Sequence, residues 1–467
     1  MREEGHNMKH TTVSEVLKII KGELLQGNHD TTIKFGAYRL KQVKHPNTIL
    51  FMNTRIINWS TIMNHFPLIL VSEWQYKKNE VPVGVILIKV SNLDEAYWHF
   101  VERYRNQFQI PVVAITGTSG KTTTKEMIKH ILLADRQVVA TTLSNNSRTE
   151  TLQNLLKMNH QTEAGVFETA VGSPGDVLLA GRYYKPTIGI ITNIGSHHLN
   201  YCKTQEAYIN AKAEMLQILD KGTLIINGDD LNILKIDTNY FPGKIIRFGK
   251  QNSHYRMSDI KYGKHGMQFT VHHAQKQYQA FVPGYGEHQV YNAVAALAAV
   301  HEMGIPLVEA INRLKTYRPL NKQLQFFKSV NDAVLIDDTW SITTTSLDAA
   351  LEVLNAIGKG KKKIAIIGTI TDLGSWGYVI HEQAGEIINK HGVNILITVG
   401  EHAAIMADKV RALGLNAQIY NFRNNLFVYE LVEKLADSET VILIKGDMYS
   451  ETIHELAAHL KMKTPPK

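Results

Sequence analysis

At 467 residues the chain is too long for one hydrophobic core and implies about three domains by length alone. Its apolar fraction of 44% and charged fraction of 20% are ordinary for a soluble globular protein, and no stretch approaches the roughly 20 apolar residues of a membrane span. The formal charge of +8 comes from scattered basic residues, and the dense run Lys359 to Lys363 reads as a solvated loop. Nucleic acid is therefore not the expected partner, whereas an anionic small molecule suits the basic balance.

The single cysteine, Cys202, excludes an internal disulfide and supplies no metal cluster. The first ten residues lack the apolar segment of a signal peptide, and Met8 would serve equally well as a start. A cytoplasmic monomer is the expectation.

In chain order, residues 1–108 form a first unit. It opens with a short amphipathic helix (Val13, Leu17, Ile20) and continues with strand candidates at Thr48–Met52, Leu68–Val71 and Val85–Val90. The second unit, 109–318, alternates strands with helices. Its strand candidates lie at Pro111–Thr116, Gly165–Thr169, Thr187–Thr192 and Gly222–Ile226, which predicts a parallel sheet with right-handed crossovers. Short alternating strands follow between 244 and 283, then an alanine-rich helix over Tyr291–Met303. The third unit, 319–467, shows strands at Val334–Asp337, Lys363–Gly368, Ile395–Gly400 and Val441–Gly446. Helices near 345–356, 379–390, 402–413 and 427–436 separate them, a Rossmann-like alternation.

The segment Gly117-Thr118-Ser119-Gly120-Lys121-Thr122-Thr123-Thr124 joins the strand Pro111–Thr116 to a helix predicted over Thr122–Ala134. A glycine-rich turn there exposes backbone N–H groups and a helix N-terminus, which together attract phosphate. Lys121 is placed to reach terminal phosphates, and the hydroxyl of Thr122 or Thr123 to sit near a magnesium ion. The generic phosphate loop carries a glycine where this chain has Ile115, so the motif is a shortened form. Glu168 ends a strand, from which a carboxylate can reach a magnesium ion beside the loop. His198 follows the strand ending at Thr192, Lys212 lies on a helix, and His288 and Asn292 open the alanine-rich helix. Taken singly, each has a plainer reading: a surface carboxylate, a structural histidine, a solvated lysine. Their order, with most of them at element ends along one sheet edge, is what points to a site.

These segments, with Asn145-Asn146, Asn227-Gly-Asp-Asp230, Asp337-Asp338-Thr339-Trp340 and Lys445-Gly446-Asp447, resemble the Mur ligase family over nearly the whole chain. The resemblance implies an α/β protein of three domains, with a central ATP-binding parallel sheet and a Rossmann-like C-terminal domain. It also implies a first domain for a nucleotide-sugar acid and a third for an incoming amino acid or dipeptide. The activity implied is ATP-dependent amide-bond formation through an acyl phosphate in peptidoglycan-precursor or related synthesis, with ATP and Mg²⁺ as cofactors. Gly117 to Thr123, His288, Asn292 and Asp338 would then contact ATP. Thr122 and Glu168 would hold one magnesium and His198 a second, aided by a carbamate on Lys212; Lys121, Lys212 and His198 would be catalytic.

The chain also departs from the family pattern. After Asp337-Asp338 the family's two asparagines and proline are missing, Asn321-Lys322 stands for a Gly-Arg pair, and Asp447-Met448 stands for Ser-Arg. In the first unit Ala37-Tyr38-Arg39 replaces an Asp-Ser-Arg segment. Two readings follow: a ligase acting on a different acid and amine, or a weakly active paralogue serving as an ATP-binding scaffold. A folylpolyglutamate synthase is a third reading, disfavoured by the long first unit.

Overall fold

The computed structural model describes residues 8–77, 80–195 and 202–461. Among the described residues three large sheets follow one another along the chain, and a two-stranded antiparallel pair, Thr11–Thr12 with Thr32–Ile33, accompanies the first. In the first, Phe35–Ala37, Thr48–Phe51, Leu68–Ser72 and Val85–Lys89 run parallel, and Glu23–Gln26 closes one edge antiparallel. Thr48–Phe51 and Leu68–Ser72 are buried throughout, which is why they read as continuous apolar runs rather than alternating ones. The helix Val13–Ile20 starts at a capping box between Thr12 and Glu15. The helix Leu93–Arg105 was not expected from sequence. Its charged residues are interspersed with the buried Ala96, Phe100, Val101 and Tyr104.

The second sheet has nine strands and is mixed rather than purely parallel. Val138–Ala140, Ala164–Glu168, Val112–Thr116, Ile188–Ile191, Thr223–Asn227 and Lys244–Gly249 run parallel in that order. Tyr255–Gly263, Gly266–His273 and Lys276–Pro283 extend it as an antiparallel meander. Val138–Ala140 and Tyr255–Gly263 escaped the sequence reading. The first is three residues long, and the second is broken by a register shift between Ser258 and Lys261. The alanine-rich helix begins at Glu287, four residues earlier than its apolar run.

In the third sheet the order is Gln325–Lys328, Val334–Asp338, Thr440–Lys445, Lys362–Gly368, Ile395–Val399 and Gln418–Phe422, with only the first strand antiparallel. The chain leaves Asp338 and returns at Thr440 beside it, so the ends of Val334–Asp338, Thr440–Lys445 and Lys362–Gly368 lie together. One apolar cluster runs from Ile191 and Leu224 of the central sheet and Met215 of a helix packed on it into Leu396 of the third sheet and Leu347 and Leu351 of the helix Thr344–Ile357. This packing sets the third sheet against the phosphate loop. No helix among the described residues is long and apolar enough to cross a membrane.

Candidate functional site

The phosphate loop leaves the strand Val112–Thr116 and enters the helix Lys121–Leu132. Gly117 and Gly120 have φ of 150° and 82°, a region that side chains resist. A Cβ at Gly120 would also strike the Asn292 carboxamide, so the turn depends on glycine for close packing as well as for conformation. The neighbouring strand end holds the loop: Thr118 N–H donates to the Asn193 carbonyl and Ser119 N–H to Asn193 Oδ1, both at 2.9 Å. The Asn227-Gly-Asp-Asp230 segment supports that turn. Asp230 Oδ2 accepts from Ile194 N–H at 2.9 Å, and Asp229 accepts from the Tyr291 hydroxyl at 2.8 Å.

Lys121 folds back over its own loop, donating to the Gly117 carbonyl at 2.8 Å and the Thr118 carbonyl at 3.2 Å. Burial lowers its pKa, and the Glu168 carboxylate opposes that shift. Glu168 ends the strand Ala164–Glu168 with its side chain fully buried. Its Oε2 accepts from the Thr122 hydroxyl at 3.2 Å and the Asn146 amide at 3.0 Å. No hydrogen bond reaches Oε1, whose neighbour is the Lys125 ammonium at 3.2 Å. Lys125, itself fully buried, also donates to the Thr141 carbonyl at 2.7 Å and so ties down the segment carrying Ser144 and Asn146. Ser144 Oγ lies 3.0 Å from Thr122 Oγ1.

Glu168, Thr122 and Ser144 present oxygen donors, one carboxylate oxygen being free of hydrogen bonds and faced only by the Lys125 ammonium, and this donor set fits a hard cation such as Mg²⁺. Among the described residues no group of three or more His, Cys, Asp or Glu gathers as a metal cluster. Magnesium needs none when substrate phosphates complete its shell. His198 falls outside the described residues.

Lys212 is buried on the helix Gln205–Ala213, its ammonium 4.3 Å from the Tyr208 ring centroid. Burial drives its pKa well below the ordinary lysine range, and the nearby Lys121 adds to the effect. The neutral amine is the form that can take up CO₂. Two residues on, Glu214 caps the helix Asp176–Tyr184 by accepting from Gly175 N–H at 2.6 Å.

Across the loop lies the third unit, enclosing a cavity of about 480 Å³ with the phosphate loop, Asn146, Glu168, His288, Asn292, Asp338 and Lys445 on its walls. Asn292 Oδ1 accepts from the Thr124 hydroxyl at 3.4 Å. His288 Nδ1 is sealed from water without a partner, and burial with the nearby Lys445 lowers its pKa to about 4. Asp338 is ion-paired with Lys445, which also donates to the Ser341 carbonyl at 3.0 Å. Burial still raises the Asp338 pKa against that partner. Two further contacts join the units: Thr123 Oγ1 donates to Gln323 Oε1 at 3.1 Å, and Ser119 Oγ lies 3.3 Å from Thr343 Oγ1.

The family model of the Mur ligase middle domain matches residues 115–300. The UDP-N-acetylmuramoyl-tripeptide–D-alanyl-D-alanine ligase of Bacillus subtilis (strain 168) is 24% identical over 440 residues, covering 93% of this chain and 95% of that protein. The protein of the same name from Synechocystis is 27% identical over 327 residues, 70% of each. Among solved structures, MurF from Acinetobacter baumannii superposes with a TM-score of 0.84 at 21% identity, covering 97% of this chain and 99% of that one. MurF ligase from Thermotoga maritima in complex with ADP gives 0.75 at 18% identity, covering 91% and 96%. Residues 115–300 thus match a Mur ligase middle domain, and along nearly its whole length the chain is similar to ligases of that family.

The departures of this chain from the Mur ligase pattern acquire structural meaning. Thr343, where the family has an asparagine, caps the helix Thr344–Ile357 by accepting from Ser346 N–H at 3.0 Å. Threonine and asparagine both serve as N-caps, so the helix start survives the substitution. Lys322, where the family has arginine, has its ammonium 3.3 Å from His454 Nδ1. Sequence reasoning assigned no role to Lys125, Ser144, Asn146, Gln323 or Thr343. Lys125 was discoverable one helical turn after Lys121; Gln323 and Thr343 reach the loop only through the packing of the two units.

Proposed function

We propose that this chain is a cytoplasmic monomer that joins a substrate carboxylate to an amino acid or dipeptide at the cavity between its second and third units, consuming ATP. The units bounded near residues 108 and 318 divide the work: the first holds the acid, the second the nucleotide and the third the amine. The observation that carries the reading is the Thr122–Glu168–Asn146 arrangement beside the phosphate loop, closed over by a third sheet whose strand ends face it.

In this reading the loop amides and Lys121 hold the phosphates, with Asn292, His288 and Asp338 around the rest of the nucleotide. Thr122 and Glu168 would hold Mg²⁺, which supplies charge neutralisation for phosphoryl transfer. Lys212, as a carbamate, would help hold a second Mg²⁺, for which the family resemblance implies His198 as a ligand. The acid's carboxylate oxygen forms a bond to the terminal phosphorus of ATP and ADP leaves. The amine nitrogen then bonds to the activated carbonyl carbon, the carbon–oxygen bond to phosphate breaks, and the nitrogen loses its proton to solvent.

Calorimetry with Mg-ATP tests the nucleotide assignment. Binding should be clear in the unaltered protein and weakened at least about tenfold in Lys121→Ala. Equal affinity in both proteins would remove the phosphate-loop role.

A further inference from the structure

The segment 144–150 brings Ser144 and Asn146 to the Thr122–Glu168 pair, and the first unit holds the far end of that segment by its backbone. The Tyr38 hydroxyl donates to the Arg148 carbonyl at 2.8 Å, and Gln42 Nε2 donates to the Thr149 carbonyl at 2.7 Å. Gln42 is itself fixed, because its Oε1 accepts from Tyr38 N–H at 3.1 Å and Arg39 N–H at 3.0 Å. Just before these residues, the strand Phe35–Ala37 lies against the helix Thr151–Leu156 that continues the segment. Gln153 Nε2 donates to the Gly36 carbonyl at 3.2 Å, and a Cβ at Gly36 would strike Leu156. The second unit pins the near end: Lys125 donates to the Leu143 carbonyl and Asn154 Nδ2 to the Asn145 carbonyl at 3.0 Å. Its hold on the far end is weaker. Arg148 reaches Asp176 and Ser173 through a side chain that is 59% exposed, and an exposed pair restrains backbone little.

Asn146 lies between these two sets of anchors. Its amide keeps its aim on Glu168 Oε2, 3.0 Å away, only while the backbone on both sides is fixed. Resting on the magnesium-nucleotide part of the reading above, we propose that the first unit sets the magnesium affinity of the second. Tyr38 and Gln42 are positioning residues that act through Asn146 on Glu168. Loss of their two bonds weakens the site for a divalent cation without touching any group that binds the nucleotide directly.

The test is calorimetric titration of the full chain with ADP at a series of Mg²⁺ concentrations, none included, for the unaltered protein, Tyr38→Phe and Gln42→Glu. Both variants keep the size of the side chain, and Gln42→Glu keeps the oxygen that accepts from Tyr38 and Arg39. The Mg²⁺ concentration giving the half-maximal gain in ADP affinity should rise about three- to tenfold in each, the range that one lost hydrogen bond spans. ADP affinity without Mg²⁺ should not change. Amide hydrogen exchange in 144–150, measured without nucleotide or metal, should quicken in both variants while that of the helix Lys121–Leu132 stays the same. Tyr97→Phe breaks a different bond between the units, from Tyr97 to Tyr183, and should leave the magnesium requirement where it is. An unshifted requirement in Tyr38→Phe or in Gln42→Glu overturns the proposal. So does an equal shift in Tyr97→Phe, which would assign the effect to contact between the units in general. ADP affinity that ignores Mg²⁺ in the unaltered protein overturns the magnesium reading and the proposal with it, and no ADP binding at all overturns the nucleotide reading as well.

Discussion

The Thr122 hydroxyl donates to Glu168 Oε2 at 3.2 Å, joining the first turn of the phosphate-loop helix to the end of the adjacent strand. The same oxygen accepts from Asn146 at 3.0 Å, so three elements converge on one carboxylate. Partners that orient a metal-binding carboxylate typically matter by 10- to 100-fold, and Asn146→Ala should raise the Mg²⁺ concentration needed for half-maximal activity by about that factor. An unchanged magnesium requirement would mean that Asn146 does not position Glu168 for a cation.

Lys125 and Glu168 form an ion pair in which both side chains are fully buried. Removing one partner of such a pair typically costs about 3–5 kcal/mol, because the remaining charge is left buried. Lys125→Met should lower the melting temperature by several degrees, and millimolar Mg²⁺ should recover part of the loss by replacing the missing positive charge. A full loss that magnesium does not touch would confine Lys125 to a structural role.

Lys212→Ala should lose most ligase activity and regain part of it with added acetate or formate, which can stand in for a carbamate. Depleting bicarbonate should slow the unaltered enzyme. A fully active Lys212→Ala protein with no response to either treatment would exclude the modification.

His288 has a folded-state pKa of about 4 against an ordinary value near 6.5. The unfolded chain therefore binds the proton first as pH falls. The stability held by the neutral ring is intact above about pH 6.5, declines between there and pH 4, and is fully lost below. Part of the ring meets the cavity while Nδ1 is sealed, so water screens some of the effect and the expected swing is about 2 kcal/mol. Denaturant unfolding at pH 7 and pH 4.5 should show a smaller acid loss in His288→Gln than in the unaltered protein. Identical losses would contradict the shift.

Much of the architecture was legible because parallel strands buried on both faces leave unbroken apolar runs. Leu68–Ser72, Val112–Thr116 and Ile395–Val399 are such cases, found within one residue of their ends. The short edge strands Val138–Ala140 and Gln418–Phe422 lack that signal, since an edge buries less. In the site, glycines and threonines in fixed order gave the loop, and the strand end gave Glu168. The Lys125 pairing, the Asn146 bond and the Gln323 and Thr343 contacts depend on how separate segments meet, which spacing along one chain does not encode. Lys212 illustrates the limit most clearly: taken singly it reads as a solvated lysine, only the family resemblance marks it as a site residue, and in the fold it is a buried amine.

The central claim is that nucleotide cleavage in this cavity is spent on an amide bond. The measurement that meets it most directly follows ADP, phosphate and amide product together across a panel of acids and amines, including UDP-N-acetylmuramoyl-tripeptide with D-alanyl-D-alanine. The account expects at least one pair to give ADP, phosphate and amide in equal amounts, with no release when either partner is omitted and none in Lys121→Ala. Mg-ATP binding without product from any pair, or ADP release indifferent to acid and amine, would contradict it and leave a nucleotide-binding scaffold.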